Sequence, residues 1–339
     1  MEEIKFISAD QVGRVLTYAL LNKAVERGLA LFSQNKNCGQ EDGRISKLDQ
    51  PVRTVVSVPS KKASLVSMPV YIEADQLLVT KLVTFFPKNE SVPKHNAIIA
   101  VFNANTGVPR AFLDGETITI RRTAAASVVA TQFLDGETIT IRRTAAASVV
   151  ATQHLANGQP TVLAILGSGV QAASHYEAFC ETFGTLQQVR VWNHKPEGAK
   201  EFASKDERRH NCVACESVED AVRDADVIVT VTSSSSPIVM TQWVKPGAHI
   251  NAVGACRLEW AEIDPNLMRS AIVYVDSREG ALQESGDLFL SKAEVYAEIG
   301  DVVNGTKTAH RDKTTVFKSL GMAVEDAVAA KIVLDGLGL

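Results

Sequence analysis

The sequence predicts an α/β protein of two domains: a parallel sheet covered by helices, and a smaller α+β domain built from both ends of the chain. Three observations carry this. From Thr161 onward, strand-like runs alternate with helical patterns, the rhythm of a parallel sheet with helical crossovers. Before that point, one helical stretch is followed by short alternating segments separated by turn signals, as in a small, mostly antiparallel sheet. The 339 residues are also more than one core usually organises. The expected boundaries are 1–153 with 314–339 for the mixed domain and 154–313 for the parallel one.

Taken in order, FISADQVGRVLTYALLNKAVERGLALF has helical periodicity, with Ser8 and Gln11 spaced as a capping box. VRTVVSVP, LVSMPVYI, LLVTKLVTFF, AIIAVFNA and VPRAFLD then read as strands, with Asn105-Thr106-Gly107 as a turn. TVLAIL, QVRVWN, DVIVTVT, HINAVG and AIVYVD are the strands expected in the parallel sheet. The tail, TTVFKSLGMAVEDAVAAKIVLDG, reads as a helix returning to the first domain.

Composition narrows the function classes. A net charge of −4 without a basic stripe argues against nucleic acid as a partner. Runs such as TVLAIL and AIIAVF are too short to span a membrane, and MEEIKFISADQV lacks the pattern of a signal peptide. Five cysteines suit a reducing compartment better than a disulfide framework, so a cytoplasmic location is expected. Cys212 and Cys215 form a lone CxxC with no second pair at zinc spacing, and are read as structural. No metal site is expected. His175, His210, His249 and His310 have no identifiable chemical partner in the sequence and are also read as structural.

The strongest chemical signal is Gly167-Ser168-Gly169-Val170-Gln171-Ala172, a GxGxx(G/A) run between the strand TVLAIL and a helix. Gly167 permits a tight turn and Gly169 lets backbone approach a pyrophosphate, which the helix N-terminus then binds through its N–H groups. A Rossmann-type dinucleotide-binding domain is predicted. Its second strand ends near Asn193, where NAD-binding units carry an acidic residue for the ribose. Here Asn193-His194-Lys195 follows, with no carboxylate before Glu197. A 2′-phosphate suits this cationic turn, so NADPH is the predicted cofactor, with NADH as the alternative. Thr232, at the end of DVIVTVT, lies where strand-end loops meet ligands.

The motifs PVRTVV (51–56), TKLVTFF (80–86), RRTAA, ILGSGVQA, VRVWN, VKPGAHINAVGA (244–255) and KTTVFKSLGMAVEDAVAAK (313–331) together resemble the ornithine cyclodeaminase/mu-crystallin family. The likeness runs along nearly the whole chain apart from one copy of a repeat described below, and is greatest to the mu-crystallin branch. It implies a homodimer with the mixed domain at the interface, and an active site in a cleft between the domains. It also implies NADPH-dependent reduction of cyclic ketimines, with thyroid hormone binding in or near the same site. Residue by residue, Arg53, Lys81 and the RRTAA arginine correspond to the substrate-binding set. Lys94, His95, Val253, Cys256, Ser319 and Leu320 fall at cofactor-proximal positions; Lys94 replaces a more usual serine and His194 a more usual arginine. Cyclodeaminases carry a catalytic Asp after HINAV, where this chain has Gly254-Ala255-Cys256, which disfavours ornithine deamination. A non-catalytic hormone-binding or crystallin role and an amino-acid dehydrogenase stay open as alternatives.

The implied chemistry follows from charge. Arg53 and the RRTAA arginine can grip a carboxylate bidentately. Lys81, its pKa lowered by burial and neighbouring cations, can protonate the imine nitrogen. Which arginine acts is complicated by a perfect tandem repeat: FLDGETITIRRTAAASVVATQ occupies 112–132 and again 133–153. A solenoid needs about three or more diverged repeats, so the duplication is an extra copy rather than an architecture. The preferred threading takes the strand from the first copy and the helix from the second, making Arg143 and Thr144 the working pair. Arg122 and Thr123 are the alternative. With Thr140 as cap, Arg142 and Arg143 would occupy the first helical turn, where cations are disfavoured unless an anion binds.

Overall fold

The computed structural model describes residues 5–7, 9–37, 48–89, 95–113, 136–205 and 211–339. It divides into two compact units, 1–143 with 322–339 and 144–321. The expected N-terminal helix is two helices, α1 (Ala9–Val15) and α2 (Tyr18–Asn37). The break falls at Leu16-Thr17, where the Thr17 hydroxyl accepts the Leu20 N–H at 3.4 Å and starts a new helix. Ser8, half of the expected capping box, lies outside the described residues.

The first unit's sheet holds β1 (Lys5–Phe6), β2 (Leu48–Asp49), β3 (Thr54–Val58), β4 (Ala63–Ile72), β5 (Leu77–Phe85), β6 (His95–Asn103) and β7 (Pro109–Leu113). Their order is β1-β7-β6-β5-β4-β2, with β3 also on β4. Pairing from β4 to β7 is antiparallel, which short turns permit. In one of them the Asn103 carbonyl accepts the Gly107 N–H at 2.8 Å, and Gly107 takes a φ of 71° that glycine tolerates. On β5, Leu77, Val79 and Lys81 alternate onto a single buried face.

β7 ends in Phe112-Leu113 of the first repeat copy, and α3 (Gly136–Leu155) is formed from the second. The helix begins before Thr140, so Thr140 is internal and Arg142 and Arg143 lie about two turns in. The fully buried Ile139 favours this extension, and the first-turn conflict with the dipole does not arise. From Ala145 to Ala151 every side chain of α3 is buried.

The second unit contains β8 (Val162–Leu166), α4 (Val170–Thr182), β9 (Gln188–Trp192), α5 (Pro196–Ser204), β10 (Cys212–Ala214), α6 (Val218–Val222), β11 (Val227–Thr230), β12 (His249–Ala252), α7 (Pro265–Ser270), β13 (Ile272–Val275), α8 (Arg278–Glu284), α9 (Gly286–Ser291), β14 (Val295–Glu298), α10 (Ile299–Val303) and β15 (Thr315–Lys318). The strands form a parallel sheet in the order β10-β9-β8-β11-β12-β15-β13-β14. The chain starts at β8, proceeds one way to β10, then crosses to β11 and proceeds the other way. That switch, between β8 and β11, is where open parallel sheets bind ligands at their carboxyl ends.

TTVFK, expected as the start of the terminal helix, is instead a strand. It forms β15, inserted between β12 and β13, and the last helix, α11 (Ala323–Leu337), starts only after Met322. Thr315 to Lys318 are all buried, and β-branched and aromatic side chains suit a central strand covered on both faces. α11 packs on α2, β4 and β5. A Cβ at Gly28 of α2 would lie 3.2 Å from Val324, so glycine there allows the close approach.

Candidate active site

α11 brings two carboxylates into the first unit's core. Glu325 and Asp326 sit in the helix's first turn, where acidic residues are favoured, yet both are fully buried. Lys81 Nζ lies 2.6 Å from Asp326 Oδ2, and Lys81 is 1% exposed. Arg143 pairs with Glu325 through Nη1 at 3.0 Å and with Asp326 through Nε at 3.3 Å. Burial, assisted by Arg143 and Arg53 and opposed by Asp326, lowers the Lys81 pKa to about 8. Arg53 is half-buried just before β3. Lys81 and Arg143 thus face the two carboxylates, and the charge of Arg53 acts on Lys81 from nearby. Arg142 is engaged elsewhere, where its Nη1 donates to Leu16 O at 2.6 Å and its guanidinium lies over the Tyr18 ring.

The second unit gathers the dinucleotide candidates at the carboxyl ends of adjacent strands. Gly167, after β8, takes a φ of 122°, and a Cβ there would come within 2.9 Å of Val231 O. Gly169 is the N-cap of α4 and supplies no side-chain cap, with open space where its Cβ would be. The first N–H groups of α4 are therefore left for an anion. Gln171 Oε1 is a buried acceptor without a hydrogen bond among the described residues. Ser168 Oγ and Asn193 Nδ2 converge on Gly198 of α5, where a Cβ would collide with the Asn193 amide. His194 and Lys195 are exposed beyond β9, with His194 Nδ1 at 3.2 Å from Asn193 Oδ1.

Further along the same edge, Val253 donates its N–H to Thr230 O at 3.0 Å, and the exposed Cys256 follows Ala255, which has a φ of 48°. Ser319 Oγ is buried and without a hydrogen bond among the described residues. The turn carrying it is held by Asp276, whose Oδ2 accepts the N–H groups of Leu320 and Gly321 at 2.6 Å each. Thr232 is occupied: its N–H and hydroxyl both donate to Glu262 Oε1 at 2.6 Å. Thr144, buried on α3, begins the second unit. His95 opens β6 opposite Phe85, whereas Lys94, Arg122, Thr123 and His210 lie outside the described residues.

Glu325, Asp326 and Lys318 lie inside the motif KTTVFKSLGMAVEDAVAAK (313–331) but receive no role from the sequence, and Glu262, Asp287 and Asp276 lie outside the family motifs. A usable signal existed for the first two, since GMAVEDAVAAKIVL is an acidic pair inside an apolar helix, and such a pair is buried only with partners. His175 and His249 are buried and kept neutral, each pushed down to about 4 chiefly by burial. His175 bridges Gln171 O at 2.7 Å and Ser148 Oγ at 2.9 Å, a structural tie between α4 and α3. Among the described residues no cluster of His, Cys, Asp or Glu could hold a metal, and no helix is long and apolar enough to cross a membrane.

The profile of the ornithine cyclodeaminase/mu-crystallin family matches residues 2–138 and 134–338, the two matches overlapping at the repeat. The chain is 46% identical over 333 residues to the ketimine reductase mu-crystallin of Mus musculus, covering 97% of this chain and 96% of that one. Among solved structures it is similar to the Δ1-pyrroline-2-carboxylate reductase of Thermococcus litoralis in complex with NADH and L-proline, at 28% identity, TM-score 0.84, and 97% and 96% coverage. It is also similar to an archaeal alanine dehydrogenase dimer with bound NAD, at 26% identity, TM-score 0.83, and 98% and 95% coverage.

Proposed function

The chain belongs to the ornithine cyclodeaminase/mu-crystallin family, and on that premise we propose that it reduces cyclic ketimine carboxylates to cyclic amino acids with NADPH. It is an oxidoreductase acting on carbon–nitrogen double bonds with a nicotinamide cofactor. The first unit holds the substrate and the second the cofactor. The open Gly167–Gly169 turn, the uncapped α4 and the Gln171 and Ser319 oxygens, unpartnered among the described residues, fit a dinucleotide. His194 and Lys195 favour a 2′-phosphate, with NADH the alternative. When bound, the cofactor supplies hydride to the imine carbon.

The chain's own residues do the rest. Arg53 grips the substrate carboxylate, and Arg143, braced by Glu325 and Asp326, adds positive charge beside it. Lys81 donates a proton to the imine nitrogen, making the adjacent carbon a better hydride acceptor. The observation that carries this reading is the buried Lys81 itself, its pKa brought to about 8 beside Asp326, close to the operating range of a general acid. Piperideine-2-carboxylate added with NADPH should cause the nicotinamide absorbance to fall as pipecolate forms. Intact NADPH binding without turnover would sink the enzyme reading.

Assembly and hormone binding complete the proposal. Val52, Val55, Val56 and Leu65 are exposed on and beside β3 and β4, an apolar patch that a second copy of the chain would cover; light scattering should give a dimer. The resemblance brings thyroid hormone to the same site, in which case hormone should compete with the imine. Among the described residues, Cys180, Cys212, Cys215 and Cys256 form no disulfide, which suits the proposed cytoplasmic location. The likeness to alanine dehydrogenase supports a second reading, and NAD reduction with alanine tests it.

A further inference from the structure

One buried carboxylate ties the carboxyl-end rim of the parallel sheet together. Glu262, fully buried in the loop after β12, reaches back to β11. Its Oε2 accepts the Thr230 hydroxyl at 2.7 Å, and its Oε1 takes both Thr232 donors at 2.6 Å. Gly254 lies so close that a Cβ would collide with the Glu262 carboxylate and with Thr232 O. The Gly254 N–H bonds Thr230 O at 3.0 Å, and its carbonyl accepts from Lys318 at the end of β15. Lys318 also pairs with Asp287 of α9 at 3.5 Å, and Asp287 Oδ1 accepts the N–H groups of Glu262 and Ile263 at 2.8 and 3.1 Å.

We propose that Glu262 is the positioning residue for the nicotinamide cofactor: through Thr232 and Gly254 it fixes the backbone of the two loops that follow β11 and β12. This rests on the reading of the chain as a nicotinamide-dependent reductase. Both donors of Thr232 serve Glu262, so Thr232 acts on the ligand through the placement of its backbone and not through its hydroxyl. The charged groups against Glu262 are Lys318 from β15 and Asp287 from α9. With two carboxylates and one ammonium, the fully ionised cluster has an unbalanced negative charge. Burial, with Asp287 adding to it and Lys318 opposing, pushes the Glu262 carboxyl up to about 7. Below that pH the cluster is neutral. Above it, a buried negative charge lies behind the two loops proposed to hold an anionic cofactor, and affinity falls.

The test measures NADPH affinity by nicotinamide fluorescence on the full chain, across the pH at which Glu262 ionises. Wild type should bind more weakly as pH rises through about 7. Glu262→Gln, which keeps the shape and an acceptor, should hold the low-pH affinity and lose that dependence. Thr230 is fully buried and cannot touch ligand, so Thr230→Val should weaken NADPH about five- to tenfold through Glu262 alone, leaving the KM for imine unchanged; Thr230→Ser should restore it. A Thr230→Val that lowers only Tm, or a Glu262→Gln that keeps the wild-type pH dependence, overturns the proposal. Should Thr230→Val fail to fold, the Glu262→Gln profile decides alone. If wild type binds neither NADPH nor NADH, the underlying reading fails and this proposal with it.

Discussion

Each unit buries a cluster of charges, and the two clusters are built in opposite senses. In the first unit Lys81 and Arg143 face Glu325 and Asp326, and the half-buried Arg53 adds positive charge that acts on Lys81. In the second unit Glu262 and Asp287 face Lys318 alone, so carboxylates are in excess. Burial dominates both: it pulls the Lys81 pKa down to about 8 and pushes that of Glu262 up to about 7. The difference lies in how the excess is met. Glu262 is met by the chain's own hydroxyls and N–H groups, and that cluster is a scaffold. The positive charge that Arg53 adds near Lys81 is the part that, in the proposed function, meets a substrate anion.

If that contrast holds, the largest effect comes from the proton donor. Lys81→Met should reduce kcat by about a hundred- to ten-thousandfold while cofactor binding is retained, as single-turnover kinetics with a fluorescence titration would show. Arg53→Ala should raise the KM for imine about ten- to a hundredfold and leave the cofactor KM unaltered. Next in size is a shift in pH dependence. Lys81 must be protonated to act, so kcat/KM should be flat below and fall above a pH of about 8. Asp326 favours the charged ammonium, so Asp326→Asn should move that alkaline limb lower by about one to three units. A limb that stays in place would mean that Asp326 does not set the Lys81 proton.

The smallest effect is expected from the repeat. Removing residues 112–132 gives the same chain as removing 133–153, and closing a longer loop costs only about 0.6 kcal/mol per doubling. The deletion should fold with an unchanged or higher Tm and keep its activity; collapse of folding would make the duplicate structural. Arg143→Ala against Arg122→Ala then identifies the working copy.

Much of the second unit was legible because its strands are short apolar runs separated by helices, and Gly167-Ser168-Gly169 punctuates the first crossover. The strand TVFK was hidden because it runs through KSLG into a helix, and a fully buried strand has no alternating period to read. The break between α1 and α2 was missed because helical periodicity continues across Leu16-Thr17. Lys81 and Arg53 could be picked out only through the family's motifs; as isolated strand cations they look solvated. Their buried partners come from far along the chain: Asp326 meets Lys81, and Glu262 meets Thr230, through tertiary contacts that local pattern does not encode.

Hydride passing from the cofactor to the imine carbon, with Lys81 supplying the nitrogen's proton, would leave an isotopic signature in the product. Reduction of piperideine-2-carboxylate with NADPH deuterated at the transferring position tests it most directly. The expected product is pipecolate with one deuterium on the carbon bearing the carboxylate, formed by wild type and almost not at all by Lys81→Met. Product whose new hydrogen at that carbon comes from solvent, or full deuterium transfer at the wild-type rate by Lys81→Met, would contradict it.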